Sequence, residues 1–224
     1  MYEYAEQFED RQQAGRALAE ALKQYKGEDC LVLAIPRGGV VVGYEVAKEL
    51  NCELDVIVPR KIGAPGQPEL AIGAVASWGD HESIIDQNAV RMLGVSDAYI
   101  RQEVEQQLSE VNRRLLAYRG TTDSPNVAGR TVILVDDGVA TGYTTRAAGI
   151  ALNNLQANKV ILAVPVGPPD SIESLRPYFD EIICLRTPAS FLAVGYWYRQ
   201  FDQVSDTEVI DILQQSRLRK LHQR

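Results

Sequence analysis

The sequence predicts an α/β protein, built as a doubly wound parallel sheet with helices on both faces. Two observations point to this fold class. Short apolar runs, rich in β-branched residues, alternate along the chain with longer segments of helical periodicity, and glycine, proline and aspartate stand between them. The short runs are apolar at consecutive positions, as in strands that are buried on both faces of a parallel sheet. Ligands of such sheets bind beyond the carboxyl ends of the strands, so we expect the functional residues there.

Composition limits the possible functions. The 224 residues are 46% hydrophobic and 24% charged, and the net charge is −7. This charge argues against non-specific binding to nucleic acid or to an anionic membrane. No apolar stretch reaches membrane-spanning length, and the acidic N-terminus is unlike a signal peptide. The three cysteines lack CxxC spacing, so we expect neither a disulfide framework nor a zinc site, but reduced thiols in a cytoplasmic protein; they are Cys30, Cys52 and Cys184.

The first helix is expected over residues 8–25, where one face is apolar, and it carries no evident chemistry. A buried strand, Cys30–Ile35, follows and ends in the turn Pro36-Arg37-Gly38-Gly39, before an apolar helix over residues 40–50. Two glycines at a strand end leave backbone N–H groups free for an anion, and the arginine adds a guanidinium that binds phosphate oxygens through two N–H groups. Taken alone, the turn is equally compatible with simple chain reversal.

The next strand, Leu54–Val58, leads into Arg60 and Lys61, which are either anion contacts or a solvated basic pair. Residues 61–86 contain several glycines and prolines, so we expect a long flexible loop rather than a packed element. A loop of this length inside a compact domain is usually functional.

Part of this loop is compatible with a hairpin, formed by residues 71–77 and 83–86. His81 lies near its tip. A histidine there is either a proton carrier or, more simply, a solvated surface residue.

A long helix is predicted over residues 97–118, with Ser96 as its N-cap and Gly120 after its end. One face carries an apolar stripe at steps of four and three residues, formed by Ile100, Val104, Leu108, Val111 and Leu115. The spacing fits either packing on the domain or a dimer seam.

The stretch with the clearest chemistry is TVILVDDGVATGYTTR, residues 131–146. A buried strand, Thr131–Val135, ends in Asp136 and Asp137, and a turn rich in glycine and threonine leads into a helix over residues 146–155. Glycine lets backbone approach a ligand closely, and the first N–H groups of a helix lack internal partners, so a phosphate fits there. The carboxylates would accept hydrogen bonds from hydroxyls or hold Mg²⁺ through its waters. A ribose 5-phosphate meets both demands, although an acidic pair before a glycine turn also occurs as plain turn chemistry.

Two further strands, Lys159–Val166 and Glu181–Leu185, flank a short helix over residues 171–178. The turns after the first, second and third strands would then leave the same edge of the sheet. A single binding site requires this arrangement.

The tail, residues 188–224, combines an aromatic cluster with a final helix over residues 208–218, capped by Asp206 or Thr207. The cluster is either core or a surface on which a flat heteroaromatic ring stacks. Its members are Phe191, Tyr196, Trp197, Tyr198 and Phe201. We therefore expect two parts, a core over residues 1–187 that includes the N-terminal helix and the flexible loop, and the tail.

The string VILVDDGVATGYTT resembles the motif that binds 5-phosphoribosyl-1-pyrophosphate (PRPP) in type I phosphoribosyltransferases, which is a hydrophobic strand, two acids, a short spacer and Thr-Gly-x-Thr. The resemblance covers the core from about residue 30 to about residue 185, and the whole chain is similar to the group named simply "predicted phosphoribosyltransferases". It implies the type I fold, with a flexible loop that closes over PRPP to exclude water and a small hood, here the tail, that receives the acceptor.

The resemblance also implies roles for individual residues. Asp136 and Asp137 would hold the ribose hydroxyls, directly or through waters of Mg²⁺, and Asp137 would take a proton if the reaction uses a base. The 5-phosphate would bind to the following turn, at Val139, Ala140, Thr141, Gly142, Tyr143 and Thr144. Pyrophosphate would bind to a basic and glycine-rich set, Arg37, Gly38, Gly39, Arg60 and Lys61, of which Arg37 and Lys61 neutralise the leaving group. In several relatives the Arg37 turn contains a non-proline cis peptide. The acceptor would meet Phe191, Tyr196 and Trp197.

The implied function is transfer of the 5-phosphoribosyl group from PRPP to a nucleobase or another small nitrogen acceptor, with release of pyrophosphate, in nucleotide metabolism. Mg²⁺ is the expected cofactor, and PRPP and a small acceptor are the expected partners of a cytoplasmic homodimer that binds no nucleic acid and no membrane. Two alternatives stay open. One is a regulator of the same fold that senses PRPP or a nucleotide without turnover, and the other is a lyase or hydrolase that uses ribose phosphates without transferring them.

Overall fold

The computed structural model describes residues 7–76 and 83–222, apart from the side chain of Glu69. The helices are α1 Arg11–Ala21, α2 Gly38–Leu50, α3 Gln87–Leu93, α4 Asp97–Arg119, α5 Tyr143–Asn154, α6 Pro169–Leu175 and α7 Asp206–Leu221. The strands are β1 Cys30–Ala34, β2 Glu53–Val56, β3 Pro59–Ala64, β4 Gln67–Ala76, β5 Ser83–Ile85, β6 Thr131–Val135, β7 Lys159–Val166 and β8 Glu181–Arg186. None of the helices in these ranges combines the length and the apolar composition needed to cross a membrane.

A five-stranded parallel sheet forms the centre of the molecule, in the order β2-β1-β6-β7-β8, with helices packed against it. This confirms the predicted fold class. The chain winds from β1 to β2 in one direction and from β6 to β7 and β8 in the other. Because parallel crossovers are right-handed, this reversal puts α2 and α5 on opposite faces. The direction changes between β1 and β6, whose last residues, Ala34 and Val135, are paired. In this architecture a ligand site is expected at that point.

Residues 61–86 are not the unpacked loop that the sequence predicts. In their described part they form β3, β4 and β5, an antiparallel sheet whose Ile72 and Val75 are fully buried. The prediction was wrong because glycine and proline were taken as signs of a loop, whereas Gly66, with φ +71°, only makes the turn between β3 and β4. The hairpin of β4 and β5 is as predicted, and its tip with His81 lies outside the described residues.

Two helix N-caps were predicted, and one of them was wrong. Ser96 caps α4 as predicted. The final helix is capped by Ser205, which forms a reciprocal capping box with Glu208, so neither Asp206 nor Thr207 is the N-cap. The helix consequently starts earlier than the sequence predicts.

A disulfide joins Cys30 to Cys52, contrary to the expectation of reduced thiols. Cys30 begins β1 and Cys52 directly precedes β2, so the parallel pairing of these strands brings the two Cα atoms to 5.6 Å. The cysteines are 22 positions apart, with α2 between them, and their spacing gave no signal. Cys184 keeps a free thiol.

The tail returns to the N-terminal part of the molecule. Phe8 and Tyr198 form an isolated β-bridge, and together with Ala14 they make a second small apolar cluster. α7 packs against α2, α4 and β2. The division between core and tail at residue 188 stays a prediction.

Candidate functional site

Two turns meet where the sheet changes direction. The turn after β1 packs directly against the acidic pair that follows β6. A Cβ atom added to Gly39 would lie 2.9 Å from both Cα and Oδ1 of Asp136, and one added to Gly38 would lie 1.9 Å from Oδ2 of Asp137. Any side chain at either position would therefore displace the acidic pair. The sequence analysis predicts that Gly38 and Gly39 bind an anion. The close packing of the two turns is a second reason why both positions need glycine.

The two carboxylates of the acidic pair have different surroundings. Oδ1 of Asp136 accepts a hydrogen bond from the backbone N–H of Asp137 at 2.8 Å. Burial raises the pKa of Asp136 well above its ordinary value, and the negative charge of Asp137 raises it further. The carbonyl oxygen of Asp137 accepts a hydrogen bond from the hydroxyl of Tyr198 at 2.5 Å. The adjacent carboxyl groups of Asp136 and Asp137 offer hydrogen-bond partners to the hydroxyls of a sugar.

Arg11 belongs to the site although the sequence analysis assigned no chemistry to the N-terminal helix. Its Nε lies 2.8 Å from Oδ2 of Asp137, and the two side chains are only 11% and 16% exposed. The positive charge offsets the repulsion between the two carboxylates. No sequence signal could have found this contact, because Arg11 is a single charge at the start of an amphipathic helix, 126 positions from its partner.

The turn after the acidic pair presents backbone N–H groups. Gly142, with φ +78°, is the N-cap of α5, and the helix begins at Tyr143, earlier than predicted. No group in the described part of the chain accepts a hydrogen bond from the amides of residues 140–144. Free amides at a helix N-terminus favour a phosphate. Val139 differs from the other predicted phosphate contacts, because its N–H donates to the carbonyl of Val166 at 2.9 Å and its side chain is buried.

Arg37 stands at the N-terminus of α2, after a cis peptide bond to Pro36. Its guanidinium makes no hydrogen bond and no ion pair with any residue that the structure describes. Burial and a hydrogen bond to Asp206 raise the pKa of Tyr118, on α4, to about 12. The positive charge of Arg37 acts in the opposite direction and lowers that pKa. The guanidinium therefore has its hydrogen-bonding capacity available for an anion.

Arg60 and Lys61 lie on β3, which packs against α4 and α5. Nε of Arg60 donates to Oε1 of Gln107 at 2.8 Å, so part of this guanidinium is committed to α4. Lys61 stands opposite Ala74 of β4. Their contact with pyrophosphate stays a prediction.

The tail contains both packed and exposed aromatic side chains. Tyr198 is 4% exposed, and its ring centroid lies 5.6 Å from that of Phe8 and 5.0 Å from that of Phe201. Tyr196 is 64% exposed, and Trp197 is half-buried with an Nε1–H that has no partner among the described residues. The core interpretation therefore fits Tyr198, whereas the stacking interpretation fits Tyr196.

Comparisons with known proteins identify the family. The family model of the phosphoribosyl transferase domain matches residues 4–197. The chain belongs to this family. The matched range includes both turns, the acidic pair and the tail up to Trp197.

Relatives of this phosphoribosyl transferase domain agree with the assignment. Proteins from two strains of Mycobacterium tuberculosis, provisionally named phosphoribosyl transferases, are each 45% identical over 206 residues, which cover 92% of this chain and 46% of theirs. The chain thus spans about half the length of these curated relatives. The crystal structure of TT1426 from Thermus thermophilus has 41% identity and a TM-score of 0.81, over 93% of this chain and 98% of that one. A purine phosphoribosyltransferase from Pyrococcus horikoshii, at 16% identity and a TM-score of 0.46 over 87% of this chain and 92% of that one, is too distant to inform the choice of acceptor.

The two carboxylates of the acidic pair fit a magnesium ion that keeps most of its ligands from outside the protein. Mg²⁺ commonly takes one or two carboxylates and completes its shell with waters and substrate phosphates. Asp136 and Asp137 provide adjacent carboxylates, and Arg11 engages only one oxygen of Asp137. The described residues contain no group of three or more His, Cys, Asp or Glu side chains that could hold a metal by themselves. Most ligands of the ion would accordingly come from water and from a bound phosphate.

Proposed function

We propose that this phosphoribosyl transferase domain moves the 5-phosphoribosyl group from PRPP to a nucleobase or another small nitrogen acceptor, with release of pyrophosphate. One observation carries the proposal. At the junction of β1 and β6, the open amides at the start of α5, the acidic pair and the guanidinium of Arg37 lie on adjacent turns. This order of donors and acceptors matches a 5-phosphate, a pair of ribose hydroxyls and a pyrophosphate.

Each part of the site has one task in the proposed reaction. The amides of residues 140–144 bind the 5-phosphate, and Arg37 with its glycine turn binds the pyrophosphate. Asp136 and Asp137 bind the ribose hydroxyls. The acceptor nitrogen forms its bond to C1 as the bond from C1 to pyrophosphate breaks, with inversion and through an oxocarbenium-like state. The charge of Asp137 favours the positive charge that develops on the sugar, and Arg37 favours the departing negative charge.

A bound Mg²⁺ would neutralise charge on the pyrophosphate oxygens. Asp136 and Asp137 would hold it, with water between the ion and the carboxylates. The protein groups then have to bind, orient and exclude water, and none of them needs to form a covalent intermediate.

We propose that the acceptor binds beneath the tail. Val194 covers the turn beside the acidic pair, since a Cβ atom added to Gly138 would lie 2.6 Å from its Cγ1. The exposed ring of Tyr196 and the half-buried rings of Phe191 and Trp197 belong to the same segment. A flat heteroaromatic acceptor stacks favourably on such rings.

Calorimetry and turnover together test the proposal. PRPP should bind to the chain in the presence of Mg²⁺, and Asp137→Asn should abolish this binding without unfolding the protein. Asp211→Asn is the matched control. It removes the same charge from an exposed position on α7, outside the proposed site. Equal PRPP affinity in the wild type and Asp137→Asn would refute the assignment of the acidic pair.

Pyrophosphate release identifies the class of protein. A screen of purines, pyrimidines and small aromatic acids with PRPP should find at least one acceptor that releases pyrophosphate. Binding of PRPP without release for any acceptor would favour the sensor. Release without a ribosylated product would favour the hydrolase.

We propose further that the protein acts as a homodimer in the cytoplasm, without nucleic acid or membrane as a partner. The apolar stripe of α4 packs on the domain, with Val111 and Leu115 fully buried, but Ile100, Val104 and Leu108 are covered only in part. The side of α4 that carries their open edge and Leu116, which is 53% exposed, is the proposed seam. The half of α4 before Leu108 is acidic on balance and the half after it is basic, so two antiparallel copies attract one another. Leu116→Glu should halve the mass measured by light scattering, and an unchanged mass would exclude this seam.

Cell fractionation tests the proposed location. Disulfides are rare in the cytoplasm, so trapping of thiols in intact cells will also show whether Cys30 and Cys52 are joined there. A secreted protein would contradict the proposal.

A further inference from the structure

The guanidinium of Arg11 is held on three sides. Nε donates to Oδ2 of Asp137 at 2.8 Å, and Nη1 donates to the carbonyl oxygen of Asp202 at 2.8 Å. The ring of Phe201 lies against the guanidinium, with 3.8 Å from its centroid to Cζ. The contacts on Asp202 and Phe201 come from the tail, and the contact on Asp137 comes from the end of β6. One side chain therefore connects the predicted acceptor hood to the acidic pair.

The backbone beneath Arg11 is also fixed. Arg11 is the first residue of α1, whose N-cap, Asp10, accepts a hydrogen bond from the N–H of Gln13 at 2.7 Å. Ala14 and Leu18 anchor the same helix, since both are fully buried. The guanidinium thus starts from a rigid element, and its three contacts leave it little freedom to move.

Gly38 completes the arrangement. A Cβ atom at this position would lie 2.7 Å from Nε of Arg11 and 1.9 Å from Oδ2 of Asp137. The absence of a side chain at Gly38 is what leaves room for the ion pair. The pyrophosphate turn, the acidic pair and the N-terminal helix therefore meet at this one contact.

We propose that Arg11 is a positioning residue for PRPP, which fixes Asp137 and makes its orientation depend on the ordered tail. This inference rests on the proposed function. A carboxylate with no partner rotates about its last bond, whereas an ion pair on Oδ2 fixes the direction of Oδ1. Oδ1 of Asp137 is then already directed at a ribose hydroxyl. PRPP binding therefore costs no further conformational entropy of the Asp137 side chain. Arg11 itself does not touch the substrate.

A plug is the opposing possibility, in which Arg11 occupies the carboxylate and must leave before PRPP binds. The three contacts and the low exposure of the side chain favour a permanent partner over a plug. The two possibilities predict opposite changes in affinity when Arg11 is replaced.

Calorimetry with PRPP and Mg²⁺ tests the inference on four proteins. Arg11→Gln should weaken PRPP binding about 10- to 100-fold, the range expected when a contact group is displaced by about 1 Å. Arg11→Lys keeps the charge and should recover part of the affinity. Arg16→Gln removes a charge from an exposed position of the same helix and should leave affinity unchanged. Tighter binding by Arg11→Gln would establish the plug and overturn the inference.

A second ligand separates positioning from a general loss of structure. If Arg11 acts through Asp137, then Arg11→Gln should weaken the binding of PRPP but leave unchanged the binding of inorganic phosphate to the amides of residues 140–144, both measured by calorimetry. Equal losses for the two ligands would overturn the inference. Should Arg11→Gln fail to fold, Phe201→Leu is the substitute. It removes the ring from the guanidinium of Arg11, together with its packing on Tyr198, and leaves both hydrogen bonds of Arg11 in place. It should raise the KM for PRPP, and an unchanged KM would overturn the inference.

The failure of the inference differs from failure of the proposed function. A wild-type chain that binds no PRPP refutes the function, and the inference falls with it. A wild-type chain that binds PRPP as tightly as Arg11→Gln refutes the inference alone.

Discussion

Gly38→Ala is the substitution whose effect follows most directly from the structure. The new Cβ atom would stand 1.9 Å from Oδ2 of Asp137 and 2.7 Å from Nε of Arg11. Since real Cβ atoms do not come closer than 3.0 Å to such neighbours, the carboxylate must retreat by about 1.1 Å. The ion pair and the predicted ribose contact lie on that same carboxylate, so both must change.

The magnitude of the effect follows from two general figures. Misplacing a contact group by about 1 Å costs on the order of 100-fold in affinity or rate, or about 2.7 kcal/mol. Overpacking a well-packed site costs about 1–3 kcal/mol of the free energy of unfolding. We therefore expect Gly38→Ala to fold with reduced stability and to bind PRPP about 100-fold more weakly.

Gly43→Ala is the control on the same helix. The three atoms nearest to its Cβ atom, which include Cβ of Ala34 at 3.0 Å, do not belong to the acidic pair or to Arg11. The gain in helix propensity of about 0.5–1 kcal/mol offsets that tight contact. Urea unfolding and calorimetry with PRPP should show a stability close to that of the wild type and unchanged affinity. If Gly38→Ala binds PRPP as the wild type does, the reasoning about the acidic pair is wrong.

The remaining predictions concern the tail and the free cysteine. Trp197→Ala should raise the KM for the acceptor about 10-fold or more, since stacking on a base is worth about 1–3 kcal/mol, and should leave the KM for PRPP unchanged; a rise in the KM for PRPP alone would refute the hood. Tyr198→Phe removes the hydrogen bond to the carbonyl of Asp137 and should lower the free energy of unfolding by about 1 kcal/mol in urea titrations, whereas no loss would show that water replaces the hydroxyl. Burial raises the pKa of the Cys184 thiol to about 11, so this thiol stabilises the fold fully below pH 9 and stability falls as pH rises towards 11. In urea unfolding from about pH 8 to about pH 11, stability should fall more steeply with pH in the wild type than in Cys184→Ala, and equal slopes would contradict the burial of the thiol.

Local sequence was sufficient for the central sheet and for the acidic motif. The three central strands, β1, β6 and β7, are apolar and buried at nearly every position. β7 has the predicted bounds, Lys159–Val166, because every residue after Lys159 is apolar and buried. The motif is contiguous, so Asp136 and the amides up to residue 144 needed no long-range information. The second sheet was missed because Gly66 and its neighbours were taken as a loop, although apolar residues on both sides of them, such as Ile62 and Ile72, are buried.

Contacts between distant segments could not be predicted. The pairing of Arg11 with Asp137 depends on the angle at which α1 crosses the sheet, and the disulfide between Cys30 and Cys52 depends on the register of β1 and β2. Neither quantity leaves a trace in residue spacing. The same holds for Tyr198, whose hydroxyl reaches the acidic pair from the tail.

The most direct test of the account is the position of the 5-phosphate. In ¹⁵N-labelled protein, addition of PRPP with Mg²⁺ should shift the amide resonances of residues 140–144 most strongly, because their N–H groups would gain an acceptor. Ribose 5-phosphate should shift the same amides and spare the turn that contains Arg37, which binds the missing pyrophosphate. Shifts confined to any other part of the chain, with these amides unchanged, would contradict the proposed site.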